Sequence, residues 1–325
     1  MAQLTGIEGV CIYNYKGPQN TVTQVVAAVL AQGAILHTDA PSLRPNASYT
    51  TAFQGPALQC ADVTGSVRNN IISYINTTMH NESMAYGYVS WVGQSLPEYN
   101  SSSNGSPLYV AIFPKMPDLY IDHYALDEGE ASEDIMGNAT IIQCTLVNTT
   151  YDTSVVWING VRTIDMVVEP SQAAVIPLGE VSCANETTDF PSIVQHLAYQ
   201  SIMDAFAKSL VGTISNSLSD VGGALSSTTG IMGTVIGNVP ELAFLRTYST
   251  GASSEEDMLR QTPWLNLGFD TNFTGPPPGA SNILGPPGPD MRSNTSIHDT
   301  MEQIFRNITM SLTSSVLPGS VLMSS

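Results

Sequence analysis

The spacing of apolar residues changes once along this chain, from short strand-like runs to a helical period. Up to about residue 180 the runs are short and rich in β-branched and aromatic residues. "TVTQVV" predicts an extended run after a Gly17-Pro18 turn. "SYTTAF" alternates polar and aromatic residues and is closed by Gly55-Pro56. "AYGYVSWVG" predicts another short strand. "PLYVAIFP", bounded by Pro107 and Pro114, is apolar on both faces, as a central strand would be. Next come "ATIIQCTLV", the polar interval "NTTYDT" and "SVVWINGVRTIDMVVEP". The Asn159-Gly160 pair inside the last is the best short hairpin signal in the chain, because a type I′ turn needs positive φ at both positions. Several short strands at this spacing predict an antiparallel, sandwich-like arrangement.

Beyond residue 185 the period becomes helical. "FPSIVQHLAYQSIMDAFAKSLVGTISNSL" places Ile193, Leu197, Ile202, Phe206, Leu210, Ile214 and Leu218 near one face. Pro191 suits its first turn. A Ser/Thr/Gly-rich stretch, "SSTTGIMGTVIGN", follows. "FTGPPPGASNILGPPGPDMRSN" reads as a linker, and its glycines (Gly275, Gly279, Gly285, Gly288) keep no period of three, so it is not collagen. The last helix, "SIHDTMEQIFRNITMSL", carries the stripe Ile297, Met301, Ile304, Ile308 and Leu312, with Ser296 and Asp299 as an N-cap box. Neither helix has the basic polar face of a membrane-surface helix, so both are expected to be core or docking helices. The predicted class is α+β: a β-rich part over 1–185, a helical segment over 186–262 packed on it, a Pro/Gly-rich linker over 263–293, and a C-terminal helix and tail over 294–325.

Composition narrows the partners. Ten Lys and Arg face 28 Asp and Glu in 325 residues, a net charge of -18, and the basic residues are scattered singly. Nucleic acid and anionic lipid both need clustered basic residues, so neither is an expected partner. Charged residues make up only 12% of the chain, so solubility must come from other groups. Eleven N-x-[ST] triplets supply a candidate, at Asn46, Asn76, Asn81, Asn100, Asn104, Asn138, Asn148, Asn185, Asn272, Asn294 and Asn307. Random placement of the chain's Asn, Ser and Thr would give about four such triplets, so the excess predicts N-glycosylation in the secretory pathway.

The four cysteines, Cys11, Cys60, Cys144 and Cys183, are even in number and form no CxxC motif. In an oxidising compartment they predict two disulfides. Three pairings fit, and the arrangement that keeps each bridge local, Cys11–Cys60 with Cys144–Cys183, is the expected one. Against this stands the start, "MAQLTGIEGVCIYNYKG", which has neither the basic residues nor the apolar run of a signal peptide. No run of about 20 apolar residues occurs elsewhere. Either the chain is cytosolic with idle acceptors, or its secretory signal lies outside these 325 residues.

Catalytic patterns are missing. His37, His80, His123, His196 and His298 are isolated, none precedes a Glu, and there is no HExxH, GxSxG, P-loop or GxGxxG. No cofactor is expected. The densest acidic stretch, "PDLYIDHYALDEGEASED", offers Asp118, Asp122, Asp127 and Glu130 as calcium candidates, though not at EF-hand spacing. Its carboxylates would also serve glycoside hydrolysis, but a solvated acidic loop is the simpler reading. Tyr86, Tyr88, Trp91, Tyr120 and Tyr124 are of the type that stacks on sugars, yet at strand spacing core and cross-strand pairing is expected.

"YKGPQNTVTQVVAAVLAQGAIL" and "APSLRPNASYTTAFQGPALQC", followed by "CTLVNTTYDTSVVWINGVRTI" and "MEQIFRNITMSL", resemble the extracellular region of an uncharacterised family of filamentous-fungal (ascomycete) membrane glycoproteins. The carriers are Gly17-Pro18, Gly33 to Leu36, Asn46 to Tyr49, Gly55-Pro56 to Cys60, the Cys144 strand with its N-x-[ST]-Y element, and the NG hairpin. The resemblance implies membrane spans flanking this region in longer relatives, which this chain lacks. It implies no reaction, ligand or catalytic residue. The expected role is structural or recognition, at the cell surface or in the endomembrane lumen, with a protein or cell-wall carbohydrate as partner. The alternatives are a secreted carbohydrate-active hydrolase using carboxylates in 118–134, and a cytosolic scaffold.

Overall fold

The computed structural model describes residues 2–7, 10–36, 46–75, 84–93, 107–114, 138–169, 173–176, 180–182, 190–217, 225–245 and 295–314. The chain is mixed α+β with a β-rich N-terminal part, as its residue pattern predicts. The strands are β1 (Ala2–Ile7), β2 (Val10–Pro18), β3 (Ala47–Asp62), β4 (Met84–Val92), β5 (Leu108–Ile112), β6 (Thr140–Ile158), β7 (Val161–Val168), β8 (Ala173–Ala174), β9 (Glu180–Ser182), β10 (Gly212–Ser217) and β11 (Leu225–Ser227). The helices are α1 (Asn20–Gln32), α2 (Gly65–Tyr74), α3 (Phe190–Leu210) and α4 (Ile297–Ser314). Eight strands form one antiparallel sheet in the order β11-β10-β4-β5-β6-β3, with β7 and β8 also paired to β6. A smaller sheet has the order β1-β2-β9.

Strand β5 is central and buried on both faces. Leu108, Val110 and Ile112 point into the main core, whose other side is built by α1, α3 and α4. Tyr109, Ala111 and Phe113 point into a second cluster with Val89, Trp91 and Ile71 and Ile75 from α2 and its end. The layer facing the large sheet across the main core is therefore helical. Segments that read as separate in sequence share this core: β10 pairs with β4, and α4 packs along β3.

Four local expectations change. The run beginning "TVTQVV" is helix α1, not an extended segment. Val22, Val26, Val29 and Leu30 recur at helical spacing and are all buried, so tertiary burial overrides the β-propensity of the Thr/Val run. Gly33 closes the helix, its N–H donating to Val29 O. Second, Gly55-Pro56 is not a turn: β3 runs through it in unbroken register with β6. Proline is tolerated because β3 is an edge strand. Cys60 N–H points away from β6, to Glu302 Oε1 at 2.9 Å, so Pro56, an even number of residues away, lacks its N–H on that outer side and costs no ladder bond. Third, "NTTYDT" does not interrupt β6, which is one 19-residue strand. Fourth, the helix expected to run to Leu218 ends at Leu210. Gly212 adopts φ 136, and a Cβ there would lie 2.8 Å from Thr228. The chain turns into β10, and Ile214 is buried as a strand residue.

The NG hairpin is as expected. Asn159 (φ 53) and Gly160 (φ 78) both have positive φ and connect β6 to β7. In α4, Ser296 and Asp299 form the expected cap: Ser296 Oγ donates to Asp299 Oδ2 and accepts the Asp299 N–H. Ile297, Met301, Ile304 and Ile308 are all buried.

Candidate functional site

A fifth correction is covalent. The bridge is Cys60–Cys144, not the local pairing. These residues stand directly opposite each other in the β3–β6 register, with Cα atoms 4.0 Å apart. Because Cys60 N–H bonds Glu302 and not its opposite residue, this is a non-hydrogen-bonded position, where facing side chains come closest. The spacing of cysteines in sequence could not show this, because register joins residues 84 apart. Cys183 and the Cys11 side chain lie outside the described residues.

Helix α4 closes the same edge. Glu302 accepts the Cys60 N–H, and Thr309 Oγ1 donates to Pro56 O, so two outward-facing backbone groups of β3 are satisfied by helix side chains. Ser311 Oγ accepts the Leu36 N–H. Glu241 Oε1 accepts the Ile297 N–H at the start of α4, a cap supplied from 56 residues upstream.

A second long-range pair was not signalled by any sequence pattern. Tyr15 of β2 donates its hydroxyl to Asp204 Oδ2 of α3 at 2.6 Å, across 189 residues. Burial raises the Asp204 carboxyl from 3.8 to about 6, while the Tyr15 hydrogen bond pulls it down. Burial and the Asp204 contact also push the Tyr15 phenol upward. Since the folded value of Asp204 exceeds its unfolded one, its contribution to stability is fully present below about 3.8 and is lost as pH rises through about 6. Asp204→Asn keeps an acceptor for Tyr15 and removes the charge. Relative to this variant, the wild type is expected to lose at most about 3 kcal/mol between pH 4 and 7. Urea denaturation of both proteins across that range checks it; parallel pH profiles would contradict it.

The aromatics are packing groups. Tyr88 is fully buried and donates to Leu210 O. Trp91 stacks on its cross-strand partner Tyr109 at 5.1 Å, and Tyr86 packs beside them. Tyr120, Tyr124 and the calcium candidates Asp118, Asp122, Asp127 and Glu130 lie outside the described residues, as do His37, His80 and His123. Among the described residues no cluster of three His, Cys, Asp or Glu side chains is placed to hold a metal. His298 Nε2 lies 3.1 Å from Asp62 Oδ1, an ion-pair distance without hydrogen-bond alignment.

Four glycan acceptors are described. Asn46 and Asn138 are exposed. Asn148 is half-buried, its Oδ1 accepting from the Tyr199 hydroxyl at 3.3 Å. Asn307 is buried: its Nδ2, the atom a glycan would occupy, donates to Gly33 O at 2.9 Å, and its Oδ1 accepts from Gln303. In the folded chain Asn307 joins α4 to the end of α1. Asn76, Asn81, Asn100, Asn104, Asn185, Asn272 and Asn294 lie outside the described residues.

One exposed face stands out. The N-terminal half of β3, the C-terminal half of β6 and β7 form a three-stranded arm. Its inner face, with Tyr49, Phe53, Val155 and Trp157, packs against Met310 of α4. Its outer face carries the exposed apolar residues Ile158 (62%), Val161 (68%) and Val167 (61%). Beside the tip, Asn46 Oδ1 accepts the Asn159 N–H at 2.9 Å.

The arrangement is a mixed α+β fold whose sheet edge is tied by a disulfide and covered by a helix. The chain matches no family model, no curated protein and no solved structure.

Proposed function

We propose that this chain is the N-glycosylated ectodomain of a membrane protein, with a structural or recognition role at the cell surface or in the endomembrane lumen. The observation that carries the reading is the Cys60–Cys144 bridge, formed in a chain with eleven glycan acceptors. Disulfides persist in oxidising compartments and are rare in the cytosol. Exposed Asn46 and Asn138 support the same compartment. No helix among the described residues is long and apolar enough to cross a membrane; the membrane attachment in this proposal comes from the resemblance to the fungal membrane glycoproteins, whose longer members carry flanking spans. Cell-wall carbohydrate or another surface protein is the fitting class of partner.

Intact mass of the protein from its native cell, before and after enzymatic removal of N-glycans, tests this. A loss of several glycan masses is expected. An unchanged mass would overturn the reading and leave an acidic intracellular protein.

A further inference from the structure

The eleven acceptors are chemically alike in sequence, but the fold treats them differently. We infer that Asn46 carries a glycan that lies over the apolar tip of the β6–β7 hairpin, shielding Ile158 and Val161, and that Asn307 carries none. The inference rests on the glycosylated reading above and specifies where the sugar sits and what it does.

The geometry is set by register. Ala47, the first residue of β3, pairs with Trp157, and Ile158 pairs with Val161 across β6 and β7; continuing that register by one residue sets Asn46, which bonds the adjacent Asn159 N–H, opposite Ile158. Residues directly opposite in antiparallel strands share one face, with Cβ atoms about 5 Å apart. Asn46, Ile158 and Val161 therefore form one row on the outer face of the arm. The Asn159 N–H holds Asn46 by its Oδ1, which leaves Nδ2 as the attachment atom, directed by a side chain already fixed. Ile158 and Val161 are both more than three-fifths exposed. Adjacent apolar side chains of that exposure at a sheet end invite association, and a bulky, hydrated sugar on the same row would cover them. At Asn307 the same chemistry meets the opposite surroundings: both amide atoms are used inside the fold, and the residue is 6% exposed.

The test expresses the full chain through a eukaryotic secretory pathway as wild type and as Ser48→Ala. This variant destroys the acceptor triplet but keeps Asn46 and its bond to Asn159; Ser48 is exposed on the same face. Glycopeptide mapping of the wild type is expected to find Asn46 occupied and Asn307 bare. Ser48→Ala is expected to keep its thermal midpoint but to bind several-fold more of an apolar dye. Adding Ile158→Ser and Val161→Ser to it is expected to restore wild-type dye binding. A bare Asn46 with other acceptors occupied would overturn the inference alone, as would an occupied Asn307 or unchanged dye binding in Ser48→Ala. A wild-type chain bare at every acceptor would overturn the glycosylated reading along with it. If Ser48→Ala does not fold, Asn46→Gln is read in the same way.

Discussion

Replacing both Cys60 and Cys144 with alanine is expected to lower the unfolding free energy by about 4.5 kcal/mol, as the chain-entropy view of a long closed loop requires. The bridge closes a loop with a sequence separation of 84, so its removal releases a large number of unfolded conformations. The effect is concentrated where three elements meet. Cys144 is fully buried in the main core, Cys60 lies on the outermost strand, and the Cys60 N–H holds Glu302 of α4. Losing the bridge therefore loosens the sheet edge and the helix that covers it together. Urea denaturation of the wild type, the double variant and the reduced wild type measures this. The variant and the reduced protein should unfold at similar, clearly lower urea concentrations. A loss below about 1 kcal/mol, outside the usual range for native bridges, would mean that strand pairing alone holds β3 in place.

Phe305→Ala is expected to cost 3–5 kcal/mol, about the cost of emptying a large buried aromatic site. Phe305 is fully buried and meets Phe206 edge-to-face at 5.3 Å, which joins α4 to α3 across the main core. Phe305 belongs to the main core that strands and helices build together, so the cavity has little freedom to collapse. Leucine at the same position should recover much of the loss by refilling volume. The same denaturation series reads both variants. Equal stability of the alanine variant and the wild type would mean that α4 is not part of the cooperative core.

These results bear on how much of the molecule could be read from residue order. Where one local rule decided a segment, it was legible. Asn159-Gly160 makes its turn because both residues tolerate positive φ, and α4 begins just after Ser296 because that side chain caps it. The double-faced apolar run over Leu108–Ile112 became the strand buried on both sides. Where local preference met tertiary packing, the reading failed. The Thr/Val run at the start of α1 has β-propensity, but its buried set at Val22, Val26, Val29 and Leu30 needs a helix. Gly55-Pro56 has turn chemistry, but on an edge strand the missing N–H of Pro56 faces away from the ladder. Cysteine pairing and the Tyr15–Asp204 contact depend on register and helix placement between residues far apart in sequence, which no local pattern encodes. The Asn307 triplet shows the same limit: its sequence is that of a surface acceptor, and its amide is part of the core.

The most direct single measurement is a peptide map of the protein taken from its native cell, with free thiols blocked at lysis and digestion without reductant. The expected result is a linked peptide pair joining Cys60 to Cys144, with neither residue carrying the blocking group. Recovery of both residues as blocked thiols would contradict an oxidising compartment, and with it the proposed ectodomain role. Recovery of Cys60 linked to Cys11 would contradict the β3–β6 register on which the fold is built.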